Sequence, residues 1–262
     1  MDLGLNGKIV MISGGANGLG LAIARLFAAE GALLSLCSRN SANLEEASRL
    51  IAHEFGSSPL VYAADLADKR QIENWVAATT AHYGKIDVLI NNASGTRGGS
   101  FLSISAEQIA DGMAVKLFGY LDTVRAVLPV MRDHRAGVII NVVGVTGAQP
   151  VAGAFSGALA GGALLSFTKA LSNELAADGI RVNAVSPGMT ATHRHDAMLS
   201  AMINSGMTYD EAEAASVRDI PLGRPADPAE IGSMVVFLAS ERASYITGTN
   251  INVDGGFTRS IV

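Results

Sequence analysis

The chain has 262 residues, 49% of them hydrophobic and 16% charged, with a formal net charge of −5 at pH 7. That is enough apolar material for a large core, too little charge for a disordered chain, and the wrong sign for a nucleic-acid or anionic-membrane partner. Cys37 is the only cysteine, so no internal disulfide forms and a reducing, cytoplasmic setting is expected.

In chain order, strands are predicted at 8–13, 32–38, 60–64, 86–91, 137–143, 180–185 and 250–253. Helices are predicted between them at 19–30, 44–55, 69–83, 106–132 and 155–177, then at 196–216 and 228–240. The strands are short and continuously apolar, as in IVMIS and VLIN, which suits burial on both faces. Their alternation with helices predicts the α/β class: a doubly wound parallel sheet of about seven strands in a three-layer α/β/α arrangement. No linker interrupts the pattern, so residues 1–262 are expected to form a single domain. No basic segment followed by an apolar one opens the chain, so no signal peptide is expected. Residues 151–168 are uncharged and carry Gly157 and Gly161 at GxxxG spacing. A membrane span needs ~20 predominantly apolar residues, so this run is expected to be a closely packed buried helix, with no membrane partner.

The first strand runs into SGGANGLG, residues 13–20. Gly14, Gly18 and Gly20 let the backbone turn tightly, and Asn17 and Leu19 complete a turn whose free amides and helix dipole favour an anion. A glycine-rich turn alone is often just a turn. Its place between strand one and helix one predicts a dinucleotide site.

Further segments follow in order. Asp65 and Leu66 follow strand three. NNAS, containing Asn92 and Ala93, follows strand four. RVNAVSPGMTAT carries Pro187, Gly188 and Thr190, and IPLGRPADPAEI and TGTNINVDGG close the chain. With the glycine turn, which differs from TGxxxGxG only at Ser13, these segments resemble the short-chain dehydrogenase/reductase family over essentially the whole chain. The resemblance implies a Rossmann-type fold that binds NAD(P) and exchanges hydride with a carbonyl/alcohol pair. It implies that Gly14, Asn17, Gly18, Leu19 and Gly20 meet the pyrophosphate, and that Asp65 and Leu66 meet the adenine. Asn92, Ala93, Pro187, Gly188 and Thr190 would line the nicotinamide side, with a substrate lid near 190–216. It also implies a homodimer or homotetramer paired through the helices at 106–132 and 155–177.

An NAD-specific relative needs an acid at the end of strand two. Ser38 stands there and Arg39 follows. A serine does not repel a 2′-phosphate and an arginine pairs with one, so NADP(H) is expected in preference to NAD(H). Arg39 as a plain surface charge would leave the choice open.

The resemblance also implies four catalytic residues: a proton-donating tyrosine, a lysine four residues later, a carbonyl-polarising serine, and an asparagine in the preceding helix. Here Phe155 is expected at the tyrosine and Leu159 at the lysine. Gly144 is expected at the serine and Lys116 at the asparagine. The tyrosines at 62, 83, 120, 209 and 245 are followed four residues on by Leu66, Asp87, Val124, Glu213 and Thr249, so Tyr-x-x-x-Lys occurs nowhere.

Lys116 is the expected substitute proton donor, since a buried lysine has a lowered pKa. Its plain alternative is an ammonium that reaches water. Thr96, Arg97, Tyr120, Thr146, Gln149, Ser156, His193 and His195 are weaker polar candidates. The two histidines lack the further ligands a metal site needs, so no metal is expected. Two readings follow: an atypical oxidoreductase acting on a small-molecule substrate, or a catalytically impaired nucleotide-binding sensor or partner subunit. A lyase or hydrolase that reuses the pocket has no specific support.

Overall fold

The structure is a computed structural model that describes residues 1–260. Its strands are β1 (Ile9–Ser13), β2 (Leu33–Ser38), β3 (Leu60–Ala63), β4 (Val88–Asn91), β5 (Gly137–Val142), β6 (Ile180–Pro187) and β7 (Asn250–Val253). They form one parallel sheet in the order β3-β2-β1-β4-β5-β6-β7. The order reverses between β1 and β4, and ligands of such sheets bind in the crevice beyond the carboxyl ends at that point.

The helices are α1 (Gly18–Ala29), α2 (Ser41–Phe55), α3 (Lys69–Tyr83), α4 (Ala106–Met113), α5 (Gly119–His134), α6 (Phe155–Leu175), α7 (His193–Asn204), α8 (Tyr209–Val217) and α9 (Pro228–Ala239). The two-residue period of β1 splits the core in two. Val10 and Ile12 pack with Ile23 and Phe27 of α1 and with Ile231 and Val235 of α9. Met11 faces the opposite layer, with Trp75 of α3, Val127 and Met131 of α5 and Leu171 of α6. The strands are therefore apolar on both faces.

Two predicted helices differ from expectation. The helix at 106–132 is not uniform: α4 passes through a π-helical turn, Ala114–Phe118, before α5 begins. Such turns recur at functional sites, and this one carries Lys116. The helix at 196–216 is two helices. Gly206 turns the chain at a φ of 107°. Thr208 then caps α8, its hydroxyl accepting from the Glu211 amide while the Glu211 carboxylate accepts from the Thr208 amide.

Among the described residues, no helix is long and apolar enough to cross a membrane. The glycine-rich start of α6 instead packs backbone to backbone. A Cβ on Gly161 would lie 2.7 Å from Gly147 Cα, in the short 3₁₀ turn after β5.

Candidate functional site

At the end of β1 the chain turns through Gly14, at a φ of 66°, and Gly18, at 51°, a region in which side chains are strained. Gly20 is needed for space: a Cβ there would lie 2.0 Å from the Gly14 carbonyl oxygen. This cradle is braced from β4. Asn92 Nδ2 donates to the carbonyls of Ser13 and Gly14 at 3.1 and 3.3 Å. The buried Ser13 hydroxyl accepts from the amides of Asn92 and Ala93 at 2.9 and 3.2 Å. From sequence Ser13 is only a mismatch to a motif. In the structure it locks the two strand ends that form the crevice, and either hydroxyl residue serves. Ser13→Ala is expected to lower unfolding stability by about 1–3 kcal/mol, the cost of leaving such donors unpaired. Ser13→Thr should stay within about 1 kcal/mol, both read from urea denaturation.

A cavity of about 450 Å³ opens beside this brace, running from Arg39 and Asp65 to Thr96, Arg97 and Arg194. Ser38, half-buried, ends β2 beside Arg39. Asp65 Oδ1 accepts from the Ala67 amide at 3.0 Å, and the Asp65 amide donates to Gln71 Oε1 at 2.8 Å, which fixes the turn after β3. Leu66 is buried, and its carbonyl packs so closely on α5 that a Cβ on Gly119 would meet it at 2.8 Å. Leu66 therefore packs the turn after β3 against α5.

On the far side Pro187 ends β6. Gly188 lies against Asp254, whose Cα is 2.8 Å from where a Cβ would be, and Thr190 Oγ1 donates to the Gly188 carbonyl at 3.1 Å. The first turn of α7 then crosses the crevice. The His193 ring stands 3.3 Å from the Cβ position of Gly18. Arg194 reaches Ser94 Oγ at 3.3 Å and the Thr96 carbonyl at 3.5 Å.

At the other end of the crevice, Gly144 has a φ of 98° and no atom within 4 Å of its missing Cβ, so its side is open space. Phe155 packs edge-on against Phe101, ring centres 5.4 Å apart, and Leu159 is 56% exposed. Gly157 and Gly161 face the turn after β5. The Gly157 Cβ position is 3.3 Å from Thr146 Oγ1 and 3.9 Å from Thr96 Oγ1, and that of Gly161 is 3.3 Å from Val143 Cγ1. A displacement of two residues turns a helical side chain by about 200°. Phe155 and Leu159 thus lie on a different face of α6 from Gly157 and Gly161.

Lys116 points inward. It is 8% exposed, and its ammonium donates to the Val143 carbonyl at 2.5 Å. Burial, reinforced by the Arg194 guanidinium, lowers its pKa from 10.5 to about 8. No carboxylate pairs with it among the described residues.

The weaker candidates sort by their contacts. The fully buried Tyr120 hydroxyl lies 2.8 Å from the Ala93 carbonyl and 3.3 Å from that of Val142, and burial raises its pKa far above the ordinary phenol value. It ties two strand ends together and has no access to a substrate. His195 is buried, with Nε2 3.2 Å from Ser216 Oγ, so it joins α7 to α8. Gln149 donates to the Phe257 carbonyl and accepts from the Arg259 amide, holding the C-terminal segment. Ser156 is buried on α6 with no partner for its hydroxyl among the described residues. Thr96, Arg97 and Thr146 remain at the site.

Residues 14–258 match the family described as enoyl-(acyl carrier protein) reductase. The 3-oxoacyl-[acyl-carrier-protein] reductase FabG of Vibrio cholerae is 34% identical over 254 residues, which cover 97% of this chain and 98% of that one. The NADPH-dependent reductase BacG of Bacillus subtilis is 32% identical over 256 residues, covering 97% and 99%. The L-sorbose reductase of Gluconobacter frateurii, solved in complex with NADPH and L-sorbose, is similar over the full length of both chains, with a TM-score of 0.95 at 30% identity. The seven-stranded parallel sheet with helices on both sides matches that structure.

Proposed function

Because the chain belongs to the short-chain dehydrogenase/reductase family, we propose that it is an NADP(H)-dependent oxidoreductase of a carbonyl/alcohol or related small-molecule pair, working without the family's tyrosine. The observation that carries this is Lys116: a buried ammonium without a carboxylate partner among the described residues, set where the crevice has lost its usual polar side chains. The tyrosine and lysine positions fall on Gly157 and Gly161, which share the face turned to Val143 and Thr146. Gly144 holds the serine position. The Lys116 ammonium, anchored on the Val143 carbonyl beside Gly161, takes over the positive charge and the proton donation.

The chain's own residues fit a nicotinamide dinucleotide. The cradle at Gly14, Gly18 and Gly20 leaves no room for a Cβ at its centre, so phosphates approach the amides that open α1. Arg39 lines the cavity where a 2′-phosphate would be met. The bound dinucleotide would supply or accept the hydride. Two relatives support the phosphorylated form, since BacG is NADPH-dependent and the sorbose reductase was solved with NADPH.

Fluorescence titration tests the cofactor half. NADPH is expected to bind about tenfold to a hundredfold more tightly than NADH, and Arg39→Ser to remove that preference, the worth of a charged hydrogen bond. A spectrophotometric screen of ketones and enoyl compounds tests turnover. The second reading, a nucleotide-binding sensor or partner subunit, is favoured by the Gly147–Gly161 backbone contact, which leaves no space for a lysine on α6. Tight NADPH binding with no turnover in the whole screen would establish it, and no binding of either dinucleotide would refute both.

Under this proposal residues 1–262 act as one domain in the cytoplasm, and 190–216 close over the substrate as a lid. Phe118 and Leu159, 57% and 56% exposed on the two long helical segments, support pairing into a homodimer or homotetramer.

A further inference from the structure

Resting on that reading of the crevice, we infer that the substrate is an anionic carbonyl compound, whose carboxylate or phosphate is held by Arg97 and Arg194 where α7 meets the turn after β4. The cavity there is lined by three guanidiniums, Arg39, Arg97 and Arg194. None of the three pairs with a carboxylate among the described residues, whereas Arg25, Arg125 and Arg224 all do. Arg194 has only neutral oxygens, at 3.3 and 3.5 Å, both at the long end of hydrogen bonding. Two carboxylates share the cavity, Asp65 and Asp111. Asp65 sits at the Arg39 end, where its Oδ1 accepts from the Ala67 amide while the carboxylate keeps its charge, so three guanidiniums stand against two carboxylates and the lining carries one excess positive charge. Cations gathered in a concave site draw an anion to it, and a guanidinium fork matches both carboxylate and phosphate.

The dinucleotide does not account for this charge. Its pyrophosphate is met by backbone amides at the start of α1, and a 2′-phosphate by Arg39 at the other end of the cavity. Thr96 connects the anion subsite to the reacting end, because its carbonyl accepts from Arg194 while its hydroxyl lies 3.9 Å from the Gly157 Cβ position. An anion on Arg194 therefore places the rest of a short substrate toward Thr146 and Lys116.

Calorimetric titration into the NADP⁺-saturated protein tests this with two matched pairs: 4-oxopentanoate against its methyl ester, and dihydroxyacetone phosphate against dihydroxyacetone. At least one anion is expected to bind about tenfold or more tightly than its neutral counterpart, and the pair that discriminates identifies the anion as carboxylate or phosphate. Arg194→Leu is expected to abolish the discrimination, Arg194→Lys to retain part of it, and Asp111→Asn to increase it, with NADP⁺ affinity unchanged in all three and folding checked by thermal melting. Equal binding of anion and neutral counterpart in both pairs overturns the inference. So does an Arg194→Leu protein that loses NADP⁺ affinity as strongly as anion affinity. If the wild-type chain takes no NADP⁺, the same titrations on the free protein separate the two claims. A persisting anion preference supports the subsite while the dinucleotide reading falls; its absence sinks both.

Discussion

Lys116→Met is expected to lower kcat by about 10²–10⁴, the usual worth of a positioned general acid, and at the same time to stabilise the fold. Both effects come from one buried charge. In the direction of carbonyl reduction the ammonium is the donor, so wild-type kcat should fall as pH rises through about 8, where Lys116 loses its proton. The Met variant should lose that pH dependence. Stability moves with the opposite sense. Burial depresses the folded-state pKa to about 8 against 10.5 for the ordinary side chain. Below about 8 both folded and unfolded chains hold the proton, and the penalty of burying the charge is fully present. Between about 8 and 10.5 the unfolded chain holds more protons, so wild-type stability rises with pH. Above 10.5 the penalty is gone. At 1.36 kcal/mol for each pH unit of that interval the penalty is about 3 kcal/mol, and the lost bond to Val143 returns about 1. The Met variant should therefore melt a few degrees higher at pH 7 and lose most of that advantage above pH 10.5. Unchanged kcat together with an unchanged melting temperature would remove Lys116 from the mechanism.

The sequence carries the sheet because burial on both faces writes itself as uninterrupted apolar strands. It also carries the cradle, since Gly14 and Gly18 answer to a positive φ that favours glycine and Gly20 to a space that has no room for a Cβ. What it hides depends on neighbours distant in the chain. The π-helical turn around Lys116 has no composition of its own, and the identity of residues 114–118 reads as ordinary helix. The brace of Ser13 on Asn92 and Ala93 joins residues about eighty apart. The face of α6 was legible in part. Gly157 and Gly161 stand four apart, the spacing a tyrosine–lysine pair would have, but they read as a packing stripe. The local likeness of AFS to AYS points instead to Phe155 and Leu159. Burial favours the glycine pair, because Leu159 faces outward and Gly161 packs on Gly147. The break at Gly206 was legible too, since Thr208 and Glu211 form a capping box in plain sequence.

Gly20→Ala is expected to lower NADPH affinity by about a hundredfold or more and to cost about 3 kcal/mol or more of stability, at the upper end of overpacking. The added Cβ would lie 2.0 Å from the Gly14 carbonyl oxygen and 2.7 Å from Asn92 Nδ2. One is backbone and the other belongs to the brace between β1 and β4, so neither yields by rotating a free side chain. Relief requires α1 to withdraw from the turn, which carries the amides at its start away from any phosphate, or requires Asn92 to release the Ser13 and Gly14 carbonyls, which opens the crevice. Both routes couple stability to nucleotide binding. Gly56→Ala separates this steric cause from simple loss of a glycine. Gly56 caps α2 at a φ of 73° with nothing within 4 Å of its Cβ position. That change should cost about 1–2 kcal/mol of left-handed backbone strain and leave NADPH affinity untouched. Urea denaturation and fluorescence titration of the two variants side by side decide the matter. Equal losses of stability with NADPH affinity intact in both would mean that the close approach of Gly20 to Gly14 serves folding alone, and that the dinucleotide is met elsewhere or not at all.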